Sequence, residues 1–315
     1  MSYVLNLLFL AAGFYFLVKG ADLFVDGSSS VAKIFKIPSV IIGLTIVSIG
    51  TSLPEAAVSV TASLSGSYDL SIANVIGSNM FNTLVVVGVS AIICPFAIDR
   101  MIMKRDFPIC TALTVLLAFM LRDNTLSRAE AIILLVLFVL YILILVMSAL
   151  KNRQNADEEY KTLPMWKSIL FIIIGAAGII AGGQLTVESA KFFARAFKMS
   201  EMLIGLTVVA IGTSLPELVT SIVAAKKGES EIALGNVVGS NIFNILFILG
   251  LSGTVHPLGC DATALIDTII LIGVCAVMAI ICTTGRKANR SEGAVCAVLY
   301  VLYVTYTILR AYSLF

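Results

Sequence analysis

Apolar runs of about 20 residues recur along the whole chain, separated by short polar segments or by proline and glycine. Each run is long enough to cross the hydrocarbon core of a bilayer as an α-helix. The pattern therefore predicts an all-α polytopic membrane protein with ten transmembrane helices. Their expected bounds are about 4–25, 39–65, 70–94, 107–121, 129–150, 167–190, 202–226, 231–255, 264–283 and 291–312.

The composition supports a membrane protein over a soluble one. Hydrophobic residues make up 59% of the chain and charged residues 13%, and the mean hydropathy is +1.03. A soluble domain has about 25% charged residues, so roughly half of the usual charge is absent. The net charge of +2 gives no sign of a nucleic-acid partner, and the lipid bilayer is the expected surrounding.

One hydrophilic stretch, residues 151–161, divides the chain into two halves of five predicted helices each. We expect a first unit at 1–150, a cytoplasmic connector at 151–166 and a second unit at 167–315. Of the 21 Lys and Arg residues, 14 fall in the loops after odd-numbered helices, 6 lie on the other side, and Lys19 lies within the first helix. By the positive-inside rule, we expect a protein of the cytoplasmic membrane with both termini on its outer side.

Residues 43–82 come back at 205–244, each position meeting its counterpart 162 residues later, and about half of the 40 pairs are identical. A match of this length indicates an internal duplication. Because five is an odd number, the second copy must enter the membrane from the opposite side. The chain is therefore predicted to hold two inverted five-helix repeats, which is typical of secondary transporters with a midplane substrate site. The most similar segments are GTSLPE at 50–55 and 212–217 and NVxGSNxFN at 74–82 and 236–244.

Each copy carries one glutamate, Glu55 or Glu217, near the middle of an apolar helix. A carboxylate at that depth costs at least about 2.5 kcal/mol, which indicates a function. The proline before each glutamate removes a helix hydrogen bond and displaces the carbonyl of Gly50 or Gly212. Bare carbonyls at membrane depth must be buried in protein or face a hydrated cavity, and a cation would supply their missing partner.

Hydroxyl and amide oxygens surround the two glutamates in the sequence. Threonine and serine lie within one turn of each glutamate, and Asn/Ser residues at i, i+4 and i+8 share one face of the next helix. Packing of small residues is the alternative explanation of this second pattern, and we favour ion coordination. The candidate ligands are Thr51, Ser52, Glu55, Ser78 and Asn82, with Thr213, Ser214, Glu217, Ser240 and Asn244.

All the candidate ligand atoms are oxygens, and oxygen ligands suit hard cations. Ca²⁺, with six to eight oxygen ligands, fits best, whereas zinc and copper prefer nitrogen or sulfur. The six cysteines lie scattered in apolar surroundings, and the single histidine, His256, lies at a predicted helix end. Two buried carboxylates balance one Ca²⁺ or two monovalent ions and cannot stay empty and charged. That constraint predicts an exchanger, with no cofactor and no enzymatic activity.

At these motifs the sequence resembles the calcium/cation antiporter superfamily, specifically the prokaryotic sodium/calcium exchangers, over essentially its whole length. The resemblance implies a diamond of four ion sites between the repeats, alternating access by sliding of helices 1 and 6, and typically three Na⁺ exchanged for one Ca²⁺. It assigns the central Ca²⁺ site to the two glutamates, and the Na⁺ sites to the hydroxyl and amide positions. It also adds backbone carbonyls at Ser48 and Ala210.

One position departs from some members of that superfamily. Potassium-dependent exchangers and certain archaeal relatives end the second GSNxFN motif in Asp, whereas this chain has Asn244. The site then carries two formal negative charges instead of three. By analogy, this argues against a potassium requirement.

Three other functions remain as alternatives. A Ca²⁺/H⁺ antiporter would use the glutamates as proton carriers, but the hydroxyl and amide ligands suit Na⁺ and the GNxxE pattern of that branch is absent. A cation channel would need symmetric subunits around a pore. An intramembrane hydrolase would need an Asp pair, a Ser/His arrangement or HExxH, none of which occurs. We expect a Na⁺/Ca²⁺ antiporter that functions as a monomer.

Overall fold

A computed structural model describes residues 3–151, 162–199, 208, 210–285 and 287–313. Almost all of them are helical, because long apolar segments satisfy their backbone groups internally only as helices. The helices are α1 (Tyr3–Phe35), α2 (Ser39–Thr51), α3 (Leu53–Leu64), α4 (Tyr68–Ile93), α5 (Phe107–Met120), α6 (Arg128–Lys151), α7 (Met165–Ala196), α8 (Ala210–Thr213), α9 (Leu215–Lys226), α10 (Ser230–Val255), α11 (Ala262–Gly285) and α12 (Arg290–Ser313).

Seven helices in the described part of the chain are long and apolar enough to cross a membrane. An eighth span results if α2 and α3, which are bent by 49° relative to each other, are counted as one. The chain is thus a helical multi-pass membrane protein. The count of ten spans stays a prediction, because α5 and the charged π-helical turn before it, Ile102–Asp106, are not among these spans. Part of the predicted span at 202–226 also lies outside the described residues.

The two longest helices, α1 and α7, extend well beyond their predicted bounds, with 33 and 32 residues. They run antiparallel and pack through glycines. A Cβ atom on Gly13 would meet the carbonyl of Gly182 at 2.9 Å, and one on Gly20 would meet the carbonyl of Gly175 at 2.8 Å. The two backbones therefore touch directly, as small residues allow in membrane helices.

The predicted end of the first helix at residue 25 is wrong, because the polar residues beyond that point are paired within the fold. Lys227 Nζ lies 2.7 Å from the carboxylate of Asp26, and Lys33 Nζ lies 3.0 Å from that of Glu229. Since their charges have partners at the end of α9 and in the turn after it, these residues continue the helix to Phe35. Hydropathy alone does not show such pairing.

Two short antiparallel ribbons connect the halves at the ends of the bundle. Strand β1 (Phe96–Ala97) pairs with β4 (Lys287–Ala288), and β2 (Thr125–Leu126) pairs with β3 (Leu258–Gly259). Between them, α10 is buried along nearly its whole length and α4 along most of it. The other long helices present much of their apolar surface outward, as expected for contact with lipid.

Turns of π-helix occur at equivalent places in the central helices α4 and α10. One spans Asn82–Val86 and the other Asn244–Leu249, so each begins at the last residue of the NVxGSNxFN motif. Others lie at Gly43–Val47, inside α2, and at Ile102–Asp106, directly before α5. π-Helical turns inside α-helices are frequent at functional sites.

Candidate cation site

Both GTSLPE motifs interrupt their helices at the serine. Ser52 has φ −87° and ψ 7°, and Ser214 has φ −92° and ψ 5°, so each stands between two helices. The proline two residues later has no N–H to donate and occupies the start of the next helix. Glu55 therefore lies in the first turn of α3, and Glu217 in the first turn of α9. The expectation of a glutamate in mid-helix is corrected in this respect.

The glycines of the same motifs have a packing role that the sequence reasoning missed. A Cβ atom on Gly50 would lie 2.7 Å from the ring of Phe24 in α1, and one on Gly212 would overlap the side chain of Val187 in α7. These glycines admit α1 and α7 to the immediate neighbourhood of the carboxylates. The sequence signal was present, since a glycine inside a membrane helix commonly marks close helix packing.

The two carboxylates are fully buried, at 0% exposure, and each is held by the opposite half of the chain. Ser214 Oγ donates to Glu55 Oε1 at 3.1 Å, and Ser52 Oγ donates to Glu217 Oε1 at 2.7 Å. Sequence proximity suggested that each serine would serve the glutamate three residues later. The fold exchanges these partners, because the broken helices of the two halves lie against each other.

The second oxygen of each carboxylate has no hydrogen-bond donor among the described residues. Glu55 Oε2 and Glu217 Oε2 are both buried in this condition. A buried carboxylate oxygen without a donor carries a large desolvation cost, and buried polar atoms are nearly always partnered in stable proteins. Two such oxygens in one place are suited to a bound cation.

The second motif brings further oxygen atoms to the carboxylates. Ser78 Oγ lies 3.2 Å from Ser214 Oγ, and Ser240 Oγ lies 3.4 Å both from Glu217 Oε1 and from the carbonyl oxygen of Ser48. The described geometry therefore gathers these serines from α2, α4 and α10, together with the one before α9, around the two acids.

The amides that end the two motifs are also buried, at 0% exposure. The side-chain oxygens of Asn82 and Asn244 accept no hydrogen bond from the described residues. Asn244 Nδ2 donates to Asn79 Oδ1 at 3.0 Å, an interaction that an aspartate at position 244 could not make while ionised. The asparagine thus presents a neutral oxygen and anchors itself through its nitrogen.

The remaining candidates are placed less directly. Thr51 is fully buried and donates to Asn236 Oδ1 at 2.9 Å, while also lying 3.1 Å from the carbonyl of Val47. Thr213 is buried at the end of α8. Ala210 is the first residue of α8, and its side chain lies outside the described residues. Roles in ion binding stay predictions for these three, as they do for the other candidates.

The first asparagine of each motif has a supporting role that the sequence reasoning did not assign. Asn74 Nδ2 donates to the carbonyl of Glu55 at 3.3 Å and to Ser59 Oγ at 2.9 Å. Asn236 Nδ2 does the same with the carbonyl of Glu217 at 3.3 Å and Ser221 Oγ at 3.0 Å. These bonds fix the backbone at each glutamate. Identity of Ser59 and Ser221 in the duplicated segment was the available signal.

A second amide network, linked to Asn244 through Asn79, joins the two central helices. Asn79 Nδ2 donates to the carbonyl of Asn241 at 3.2 Å, and Asn241 Nδ2 donates to Thr83 Oγ1 at 2.8 Å. These residues lie on the faces of α4 and α10 that contact each other. The network therefore links the two halves by hydrogen bonds.

Removing the hydroxyl of either serine that bonds to the glutamate of the opposite half should weaken ion binding without unfolding the protein. Ser52→Ala and Ser214→Ala each delete a hydrogen bond to a carboxylate, worth about 1.5–3 kcal/mol, so we expect roughly tenfold or greater loss of apparent Ca²⁺ affinity. Ser65→Ala is the matched control, since Ser65 Oγ bonds only to carbonyls of its own helix, at 2.8 and 3.2 Å. Calcium-dependent transport measured across a concentration series would test this, and equal affinities in all three variants would contradict it.

Known proteins are similar to this chain in both sequence and architecture. The sequence model of the sodium/calcium exchanger protein family matches twice, at residues 5–147 and 167–309. Inner membrane protein YrbG of Escherichia coli is 39% identical, over 87% of each chain, and sodium/calcium exchanger MaX1 of Methanosarcina acetivorans is 35% identical, over 95% of this chain and 97% of that one.

A solved structure of the sodium-calcium exchanger NCX_Mj, soaked with Na⁺ and Sr²⁺, superimposes with a TM-score of 0.85 and 33% identity. The match covers 96% of this chain and 99% of that one. The duplicated motifs, the paired buried glutamates and these two independent kinds of similarity agree. The chain belongs to the sodium/calcium exchanger family of transporters.

Proposed function

We propose that this protein is a secondary active antiporter that exchanges Ca²⁺ for Na⁺ by alternating access. The observation that carries the proposal is the pair of fully buried glutamates, Glu55 and Glu217, each with one oxygen that has no donor among the described residues. Two negative charges balance one Ca²⁺. The surrounding hydroxyl and amide oxygens complete the oxygen-rich shell that Ca²⁺ prefers.

The exchange follows from the energetics of two buried acids. Both carboxylates cannot remain ionised in a site of low dielectric without a counter-ion, so the empty, charged site does not cross the membrane. Na⁺ ions occupying the hydroxyl and amide positions neutralise the same pair that otherwise holds Ca²⁺. Binding of one ion therefore requires release of the other, and no cofactor is needed.

The organisation that we propose for this activity is two inverted five-helix repeats, at 1–150 and 167–315, with a connector at 151–166. Each half contributes one glutamate and one crossed serine, which is the arrangement expected for a site between two inverted repeats. The distribution of Lys and Arg supports placement in the cytoplasmic membrane with both termini outside. All the residues proposed for the site belong to one chain, which supports a functional monomer.

Asn244 supports an exchanger without a potassium requirement. Its nitrogen is engaged by Asn79, so only a neutral oxygen remains available to an ion. The site has two negative charges instead of three, so the ions that it binds together carry less positive charge. We propose that Na⁺ and Ca²⁺ are the ions carried.

Uptake of ⁴⁵Ca²⁺ into proteoliposomes tests the proposal. Vesicles loaded with Na⁺ and diluted into Na⁺-free buffer should accumulate Ca²⁺ with saturable kinetics, because outward Na⁺ movement drives Ca²⁺ inward. Vesicles that contain the protein but are loaded with choline instead of Na⁺ should accumulate no Ca²⁺ when a pH gradient is imposed. Empty liposomes with the same Na⁺ gradient serve as the background.

The other outcomes separate the alternatives. Uptake driven by the pH gradient alone would assign the protein to Ca²⁺/H⁺ exchange, with the glutamates as proton carriers. Uptake that rises linearly with Ca²⁺ and needs no counter-ion would indicate a channel. Absence of Ca²⁺ flux under both gradients would remove Ca²⁺ as the substrate.

A further inference from the structure

Asn79 holds the side-chain amide of Asn244, which comes from the opposite half of the chain. Both side chains are buried, and Asn244 Nδ2 donates to Asn79 Oδ1 at 3.0 Å. On its other side, Asn79 Nδ2 donates to the backbone carbonyl of Asn241 at 3.2 Å. The two amides therefore form a short chain of hydrogen bonds that begins at a carbonyl of α10 and returns to α10 at Asn244.

The direction of this chain of hydrogen bonds is fixed at the carbonyl. A backbone carbonyl oxygen only accepts hydrogen bonds, so it faces the NH₂ group of Asn79 and not the side-chain oxygen. The oxygen of Asn79 then faces Asn244 and requires the NH₂ group of that residue. With its nitrogen committed, Asn244 turns its oxygen away from Asn79, and this buried oxygen has no donor among the described residues. Through Asn79, the carbonyl of Asn241 decides which atom Asn244 offers to an ion.

The oxygen of Asn244 belongs to the face of α10 that carries the candidate site. Asn244 follows Ser240 by four residues, so the two side chains share one helix face. Ser240 Oγ lies 3.4 Å from Glu217 Oε1. A cation beside the glutamates is attracted by an amide oxygen at this position, whereas an NH₂ group would repel it.

The matching asparagine of the first half, Asn82, is not held in this way. The residue that corresponds to Asn79 in the second copy is Asn241, and its side-chain oxygen has no partner among the described residues. Neither the nitrogen nor the oxygen of the Asn82 side chain has a partner in that part of the chain. The amide of Asn82 can therefore turn over without losing a hydrogen bond to the described residues.

One difference between the two copies accounts for this asymmetry. Position 83 is threonine, whereas the corresponding position 245 is isoleucine. Thr83 Oγ1 donates to the carbonyl of Asn79 at 2.8 Å and accepts from Asn241 Nδ2 at 2.8 Å, so it stands between these two groups. Ile245 has no hydroxyl, which leaves the carbonyl of Asn241 open to Asn79. The threonine thus separates in one half the partners that meet directly in the other.

We propose that Asn79 is a positioning residue for Na⁺ binding, which holds the oxygen of Asn244 toward the ion, and that Asn82 is a ligand without such support. Under the proposed exchange of Na⁺ for Ca²⁺, on which this role rests, the two amide ligands are unequal. A ligand that is held before binding loses less freedom when the ion arrives, so it binds more tightly. Na⁺ binding therefore depends on Asn79, whereas Ca²⁺ binding depends chiefly on the charges of Glu55 and Glu217.

Two measurements on the full-length protein test this role: Na⁺-driven ⁴⁵Ca²⁺ uptake into proteoliposomes, and the rise of the melting temperature in detergent as Na⁺ is added. Asn79→Ala should raise the half-saturating Na⁺ concentration about three- to tenfold in both, which is the effect of freeing one side chain. The half-saturating Ca²⁺ concentration and the maximal rate should change less than about twofold. A purely structural role would not separate the two ions.

Thr83→Val is the matched control. It removes the bond from Asn241 and leaves Asn79 joined to Asn244, so it disturbs the same contact between the halves without freeing the ligand. The half-saturating Na⁺ concentration of this variant should equal that of the original chain.

Two further variants sharpen the test. Asn79→Ser keeps a hydroxyl in the contact, but serine is one bond shorter than asparagine and leaves Asn244 unheld. It should show the same rise for Na⁺, and it serves if the alanine variant does not fold. Asn79→Ala combined with Asn244→Ala should bind Na⁺ no more weakly than Asn244→Ala alone, because a residue that acts through another has no effect once that other is removed.

Three results would overturn the role of Asn79: equal effects of Asn79→Ala and Thr83→Val on Na⁺, equal weakening of Na⁺ and Ca²⁺ by Asn79→Ala, or a further loss of Na⁺ affinity in the double variant. If the unaltered chain still takes up Ca²⁺ on a Na⁺ gradient, the proposed exchange stands and only this role fails. If Na⁺ neither drives uptake nor raises the melting temperature of the unaltered chain, both fail together.

Discussion

Glu55→Gln and Glu217→Gln are each expected to abolish Na⁺-driven Ca²⁺ uptake. Each substitution removes one of the two charges that balance Ca²⁺, while keeping the size of the side chain and its serine partner. A unit charge about 4 Å from a cation contributes about 4 kcal/mol at an effective dielectric constant of 20, which corresponds to roughly a thousandfold in affinity. The measurement is ⁴⁵Ca²⁺ uptake together with direct Ca²⁺ binding to the purified variants.

Glu188→Gln is the matched control for these two variants. The side chain of Glu188 is 70% exposed and pairs with Lys191 three residues later, so its loss should leave uptake unchanged. The glutamine variants are also expected to elute from size exclusion as the original chain does, because burying an amide costs less than burying a charge. Retention of uptake near the original rate in either variant would show that two carboxylates are not required.

Gly20→Ala should destabilise the protein strongly although it adds a single methyl group. A Cβ atom at this position would lie 2.7 Å from the amide nitrogen of Ile179 and 2.8 Å from the carbonyl oxygen of Gly175, both of them backbone atoms of α7. Backbone atoms cannot turn aside as a flexible side chain can, so α1 and α7 must separate. Overpacking of this kind costs about 1–3 kcal/mol and is expected to lower the apparent melting temperature by about 2–5 °C.

The control is the same substitution at a glycine with open surroundings. A Cβ atom on Gly273, in α11, would meet nothing within 4 Å. Gly273→Ala should therefore be neutral or stabilising by up to about 1 kcal/mol, because alanine favours helix more than glycine does. Thermal unfolding of both variants in detergent gives the comparison. Similar melting temperatures for the two would mean that α1 and α7 do not pack as closely as described.

The membrane class was predictable from the sequence for a simple physical reason. A bilayer imposes a minimum helix length and a uniform apolar environment, so hydropathy alone marks the spans. The ends of α1 were not predictable in the same way. Asp26 and Lys33 read as loop residues in a hydropathy pattern, and only their pairing with Lys227 and Glu229, about 200 positions away, shows how the helix continues.

The residue types of the candidate site were also accessible from the sequence, because a duplicated carboxylate inside an apolar helix has few explanations other than function. Their partners were not. Ser52 is three residues from Glu55 but bonds to Glu217, and Ser214 likewise crosses to Glu55. Helix periodicity gives neighbours within one element and says nothing about which side chains meet across an interface.

By itself, the sequence determined a helical membrane protein with a duplicated, oxygen-rich, doubly acidic motif, because these properties depend on composition, periodicity and internal repetition. The tertiary structure alone decided two other features: the crossing of each serine to the opposite glutamate, and the direct backbone contact of α1 with α7. Both depend on residues far apart in the chain. Such contacts arise only when the packing of whole helices fixes distances that no local pattern encodes.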